Sequence, residues 1–159
     1  MKRISILFFV FITCISCEEN VEFSTPGIQG QLDNVTWRAI DVRGTINEAG
    51  RVTITGRVRD QLLELKIPSK NNGTYVLGNN VNRVANYTIT IGENELFYTT
   101  GVNIGGVGEV KVKEFDAETN TITGTFRFNA VNINNNPIGG EFLNFQYGNF
   151  YKVPLLPTE

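Results

Sequence analysis

Hydrophobic and polar residues alternate along most of the chain that follows residue 16. The alternation is clearest in five segments, which are 51–55, 63–67, 87–91, 109–113 and 122–130. Successive side chains of a β-strand point to opposite faces, so each segment predicts a strand with one packed face and one solvated face. This pattern favours antiparallel sheets.

Turn signals rich in Asn and Gly lie between these segments, at 47–50, 71–73, 78–80, 92–94, 116–120 and 134–137. Asn and Gly tolerate left-handed backbone angles, which hairpin connections require. No long stretch has the 3.6-residue period of a helix. The sequence therefore predicts an all-β fold, an antiparallel β-sandwich or barrel-like meander of about nine strands.

The first 16 residues have a different pattern. Lys2 and Arg3 precede an apolar run over 4–12 that only Ser5 interrupts, which is typical of a signal peptide. The run is shorter than the roughly 20 apolar residues of a membrane-spanning helix. We predict three parts, namely a lipoprotein signal peptide at 1–16, a lipidated tether at 17–31 and a single β domain at 32–159.

The end of the signal peptide, Cys14 to Cys17, resembles a bacterial lipobox. In that motif a small residue, here Ser16, precedes the Cys whose sulfur takes up diacylglycerol, here Cys17, and cleavage falls between the two. Cys14 stands where Leu is usual, and it is also the competing acceptor. Two or three acyl chains anchor a protein stably. We expect lipidation at Cys17 and a place in the cell envelope, at the outer membrane.

Composition limits the chemistry that the domain can perform. The 159 residues include 14 Lys and Arg against 16 Asp and Glu, a formal charge of −2, and no His. Without imidazole there is no Ser-His-Asp or Cys-His relay and no His-ligated metal. The acidic balance argues against nucleic acid. We expect no cofactor, no metal and no catalytic residue; the expected partners are the membrane and a glycan or an envelope protein.

Two motifs resemble known sites superficially. Asp116, Glu118 and Asn120 alternate as at the start of a calcium loop, but the Gly and acidic positions that an EF-hand requires are not filled. We interpret this segment as a solvated turn. The glycines of 101–108 lack the helix that a phosphate loop requires, because 107–115 is predicted to be a strand.

Aromatic residues are the strongest binding candidates, because sugar-binding modules use exposed rings beside amides to hold a pyranose ring. The candidate rings are Trp37, Tyr75, Tyr98, Tyr147, Phe150 and Tyr151, and the candidate amides are Asn132, Asn134, Asn135 and Asn136. The alternative for such rings is core or cross-strand packing.

Carboxylates alone support one enzymatic alternative, a hydrolase. A glycosidase needs two acids about 5 to 10 Å apart in one cleft. The candidates are Glu95, Glu109, Glu114 and Glu141, and nothing in their spacing selects a pair.

The chain also contains several motifs that together resemble one known family. They are the lipobox, Val-Thr-Trp at 35–37, Gly-Thr-Tyr at 73–75, Gly-Glu-Val-Lys-Val at 108–112, Ile-Thr-Gly-Thr-Phe-Arg-Phe at 122–128 and Gly-Asn-Phe at 148–150. These motifs resemble those of small lipoproteins of Bacteroidota that share a secreted β domain of unknown function. The resemblance implies an outer-envelope location. We expect a lipid-anchored, non-enzymatic binding or structural accessory domain; the alternatives are a glycan-binding surface lipoprotein and a carboxylate-only hydrolase.

Overall fold

The computed structural model describes residues 25–134 and 136–158, which form strands and no helix. The eleven strands in this part of the chain are β1 (Gly27–Leu32), β2 (Val35–Arg38), β3 (Asp41–Ile46), β4 (Val52–Val58), β5 (Gln61–Ile67), β6 (Gly73–Leu77), β7 (Val84–Ile91), β8 (Asn94–Thr99), β9 (Val107–Asp116), β10 (Thr121–Asn132) and β11 (Phe142–Pro157). The all-β prediction is confirmed, with two strands more than expected.

The strands form two packed layers within one continuous sheet. One layer has the order β2-β1-β11-β10-β9-β6 and the other has the order β3-β4-β5-β7-β8. The layers join where residues 155–157 of β11 run parallel to β3, and where residues 131–132 of β10 pair with β8. The β11–β3 pairing makes the sheet mixed, whereas all other pairings between the described strands are antiparallel.

Aromatic rings from both layers meet in the core. The Trp37 ring centroid lies 6.1 Å from that of Tyr87 and 5.5 Å from that of Phe145, in the edge-to-face arrangement that aromatic pairs prefer. Trp37 Nε1 and the Tyr87 hydroxyl both donate to Gln61 Oε1, at 2.8 and 2.7 Å. Gln61 thereby satisfies two donors that the core would otherwise leave without an acceptor, and burial raises the pKa of Tyr87.

Strand β1 corrects the predicted domain boundary. Residues 27–31 belong to the predicted tether, yet they pair with both β2 and β11. Ile28 is fully buried and lies opposite Phe150, so this segment completes the core. The tether prediction is therefore wrong for 27–31. The predicted signal peptide, Ser16, Cys17 and the first part of the tether lie outside the described residues.

Strand β11 contains two bulges. Its register with β10 shifts at two places, and at each place β11 has an extra residue with positive φ: Tyr147 at 52° and Lys152 at 45°. A bulge bends its strand and increases the local twist. The bends allow one 16-residue strand to pair with β1 and β10 in one layer and then with β3 in the other.

Candidate functional site: a polar sheet face

The outer face of the six-stranded layer has two rows of mainly polar side chains. Directly paired residues of antiparallel strands face the same side, so the register defines the rows. The first row is Arg38, Gln29, Asn149, Thr125, Lys111 and Thr74. The second row is Thr36, Gln31, Gln146 with Tyr147, Arg127, Glu109 and Val76. We call the two rows the polar face. Six strands about 4.8 Å apart make each row about 24 Å long.

Tyr147 presents its ring to solvent in the middle of this face. Its side chain is 78% exposed, more than any other aromatic side chain in the described part of the chain. Its φ of 52° lies in the left-handed region, which is unfavourable for a bulky residue by about 1–2 kcal/mol. Neither burial nor backbone preference therefore explains a Tyr here. Strained residues of this kind concentrate at functional sites.

A shallow groove of about 550 Å³ lies beside Tyr147 and is bordered by Arg127, Lys113 and Asn149. A second depression of about 300 Å³ also borders Arg127 and includes Gln146. The two depressions are therefore adjacent along the second row. Both are open to solvent, so they do not enclose a small molecule in the way that a typical ligand pocket does.

Many polar groups of the polar face and its grooves have unused hydrogen-bonding capacity. Arg127 Nε donates to Glu109 Oε1 at 3.0 Å, and Arg127 makes no other side-chain hydrogen bond with the described residues. Lys111 and Lys113 form no ion pair within the same part of the chain. Four side-chain amides of the polar face also lack a hydrogen-bond partner among these residues: Gln29, Gln31, Gln146 and Asn149. Each amide offers both donors and an acceptor to a ligand.

Three of the predicted aromatic candidates belong to the core. Trp37 is 5% exposed, Tyr98 is 4% exposed and Phe150 is fully buried. The prediction that these rings hold a ligand at the surface is wrong, because each ring occupies an inward position of its strand. Burial also raises the pKa of Tyr98.

The remaining candidates, apart from Tyr147, are half-buried. Tyr75 packs against the core, and its hydroxyl donates to the carbonyl of Asn71 at 2.7 Å. Tyr151 borders a small depression with Gln29 and Arg38, so it lies on the same outer face as Tyr147. The structure thus brings Tyr147 and Tyr151 to one surface and separates Tyr75 from them.

The predicted Asn amides stabilise their own loop. Asn132 Nδ2 donates to the Gly140 carbonyl at 3.3 Å, and Asn134 Nδ2 donates to the Glu95 carbonyl at 3.1 Å. Asn136 Oδ1 accepts from the backbone of the same loop, and Asn135 lies outside the described residues.

Sequence reasoning missed the unpaired amides of the polar face. Their signal is an outward position in a strand that alternates polar and apolar residues. Residues 27–31 have too few apolar positions for the alternation to show, and in β11 the bulge at Tyr147 interrupts it.

The grooves contain a single carboxylate among the described residues, that of Glu109. Glu114 lies five residues further along β9, about 16 Å along the backbone at 3.3 Å per residue, and it borders neither groove. Glu95 and Glu141 border neither groove. The described parts of these two grooves therefore contain no pair of acids of the kind that the hydrolase alternative requires.

The segment from Asp116 to Asn120 is the solvated turn that the sequence predicted. Asp116 accepts hydrogen bonds from the Thr119 hydroxyl at 2.7 Å and from the Glu118 backbone N–H at 2.8 Å. These bonds, with that of Thr119 foremost, lower the pKa of Asp116. Within the described ranges, no group of three or more acidic, Cys or His residues is placed to hold a metal ion. Strand β9 begins at Val107, so the glycines before it do not lead into a helix.

Comparison with known proteins identifies one family. The model of a domain of unknown function, DUF6252, matches residues 24–154. No curated protein and no solved structure matches the chain. In residues 25–134 and 136–158, we find no helix with the length and hydrophobicity needed to cross a membrane.

Proposed function

The chain belongs to the DUF6252 family, and from that premise we propose that it is a lipid-anchored, non-enzymatic binding protein of the cell envelope that uses the polar face to hold its ligand. The anchor is the acylated Cys17, and the location is the outer membrane. The signal-like pattern of residues 2–12 and the Ser16-Cys17 pair support this location. The resemblance to secreted β-domain lipoproteins of Bacteroidota also supports it.

The observation that supports binding most strongly is the exposed, strained Tyr147 among unpaired amides. A ring at this position contributes little packing, and its backbone conformation favours a smaller residue. A solvent-facing ring stacks on apolar ligand surfaces, and Gln146 and Asn149 beside it exchange hydrogen bonds with hydroxyl groups. This combination favours a glycan as the ligand, with Tyr151 as a second ring of the same face.

The charged groups of the groove favour binding over catalysis. General acid–base chemistry on a sugar uses two carboxyl groups in one cleft. Glu109 has no second carboxylate beside it in the described part of either groove, and Arg127 already binds it.

The anchor is tested by Cys17→Ala in the full-length precursor. We expect loss of labelling by a palmitate analogue and accumulation of the uncleaved chain, because the acceptor thiol is gone. Cys14→Ala is the matched control and should remain labelled and processed. Continued labelling and cleavage of Cys17→Ala would contradict the lipoprotein assignment.

The binding face is tested on a glycan array with the full chain in detergent. Tyr147→Gly should lose binding and Tyr147→Phe should keep it, because stacking needs the ring rather than the hydroxyl. Phe142→Ala is the matched control, since Phe142 is another exposed aromatic residue of β11 but borders neither groove. Equal binding by Tyr147→Gly and the parent chain would refute the assignment of the face.

A further inference from the structure

Cationic residues are concentrated on and beside the polar face. Five of them are Arg38, Lys111, Lys113, Arg127 and Lys152, against three carboxylates on the same side, those of Glu109, Glu114 and Asp116. The remaining described residues include seven Lys and Arg against nine Asp and Glu. The face is therefore positive, although the whole chain has a formal charge of −2.

From this charge separation we infer that the ligand of the polar face is an acidic polysaccharide, one with a carboxylate or sulfate group on its sugar units. The inference rests on the proposed binding function and names its ligand class. Lys111, Lys113 and the free nitrogens of Arg127 bind the anionic groups, since hydrogen bonds between charged partners are the strongest available. The amides bind the sugar hydroxyls, and the ring of Tyr147 stacks on the apolar face of one sugar.

The shape of the surface favours a polymer over a monosaccharide. The rows are about 24 Å long at the usual strand spacing, and the two adjacent depressions stay open along the second row. An extended chain contacts such a surface at several sugar units, whereas a single sugar would remain mostly solvated.

The mixture of side chains distinguishes this ligand from other polyanions. Single-stranded nucleic acids are bound by grooves that combine dense positive charge with several stacking rings. In the two rows, uncharged amides and hydroxyls outnumber the cationic residues. A sugar polymer matches this mixture because each unit has several hydroxyls for each charge.

The test compares matched charged and neutral polymers on the full chain in detergent. Polygalacturonate is paired with its methyl ester, dextran sulfate with dextran, and polyglutamate serves as a polyanion without sugar. We expect binding to at least one of the two charged polysaccharides, about tenfold tighter than to its neutral partner. The charged polysaccharide that binds more tightly shows whether the face recognises a carboxylate or a sulfate group.

The variants Lys113→Gln and Arg127→Gln should each weaken that binding about tenfold, and added salt should weaken it further. Arg43→Gln, which changes an exposed cation of β3 in the other layer, is the matched control and should bind as the parent does. Thermal unfolding of each variant verifies that it is folded.

Each other result overturns the inference in a distinguishable way. Equal binding of charged and neutral polysaccharides, lost in Tyr147→Gly, would refute the acidic ligand and leave the proposed face intact. Equal binding of polyglutamate would refute the requirement for sugar. Binding of none of the polymers would refute the acidic polysaccharide, while the glycan array with Tyr147→Gly decides the proposed function separately.

Discussion

Replacing Tyr147 with Gly should change the free energy of unfolding by less than about 1 kcal/mol, because its contributions nearly cancel. Relief of the left-handed backbone stabilises the variant by about 1–2 kcal/mol. The added freedom of Gly in the unfolded chain opposes this by about 0.5–1 kcal/mol. The ring is 78% exposed, so its loss uncovers about 40 Å² of a surface of about 200 Å², which is about 1 kcal/mol.

The assay is urea denaturation followed by fluorescence of the single tryptophan, Trp37, which lies in the core. Tyr98→Ala is the matched comparison, because it removes a buried ring and should lower the free energy of unfolding by about 3–5 kcal/mol. Glycan binding is measured on the same samples. The expected signature is that Tyr147→Gly loses binding without losing stability.

Two results would refute this reasoning. A decrease of more than about 2 kcal/mol in the free energy of unfolding of Tyr147→Gly would show that the ring stabilises the fold. Relief of the backbone strain and the small buried area of the ring cannot together give so large a decrease. Unchanged binding in a variant of unchanged stability would show that the ring does not contact the ligand.

Three further predictions concern the core. Gln61→Ala leaves the Tyr87 hydroxyl and the tryptophan indole N–H without their acceptor, so urea denaturation should show a loss of about 2–6 kcal/mol, and a loss near zero would contradict the network. Burial raises the folded-state pKa of Tyr87 above its ordinary 10.0, so the neutral hydroxyl stabilises the fold fully below pH 10 and this stabilisation is lost as the pH rises further. Between about pH 9 and pH 11, the free energy of unfolding should therefore fall less in Tyr87→Phe than in the parent, and equal losses would refute this. Gly148→Ala would place a Cβ 2.5 Å from the Phe126 ring, so it should lower the free energy of unfolding by about 1–3 kcal/mol, measured as a lower melting temperature. Gly27→Ala is the control and should melt as the parent does, because no atom lies nearer than 3.9 Å to its added Cβ.

The strands could be predicted where the alternation is regular. In β4 and β5 the inward residues Val52, Ile54, Leu63, Leu65 and Ile67 are all buried, as the period of two requires. The prediction failed at β1, because polar Gln and small Gly residues give a short strand little apolar signal. Long-range pairing with β11 makes it part of the sheet.

The candidate site could be predicted only in part. Tyr147 and Tyr151 were among the aromatic candidates, but Trp37 and Tyr98 were equally good candidates by residue type. Exposure separates these pairs, and exposure depends on which neighbours the fold brings to each ring. The bulge that turns Tyr147 outward is a difference in length between paired strands, so it has no signal within β11 alone.

The fold class, most of the turns and the narrow range of available chemistry follow from the amino-acid sequence alone, because side-chain period, backbone preference and residue inventory are local properties. Which polar residues form one surface depends instead on how the strands pair. Arg38, Gln29, Asn149, Thr125 and Lys111 come from five strands and become one row through hydrogen-bond register. Because the register joins residues more than 100 positions apart in the chain, no local pattern could place them together.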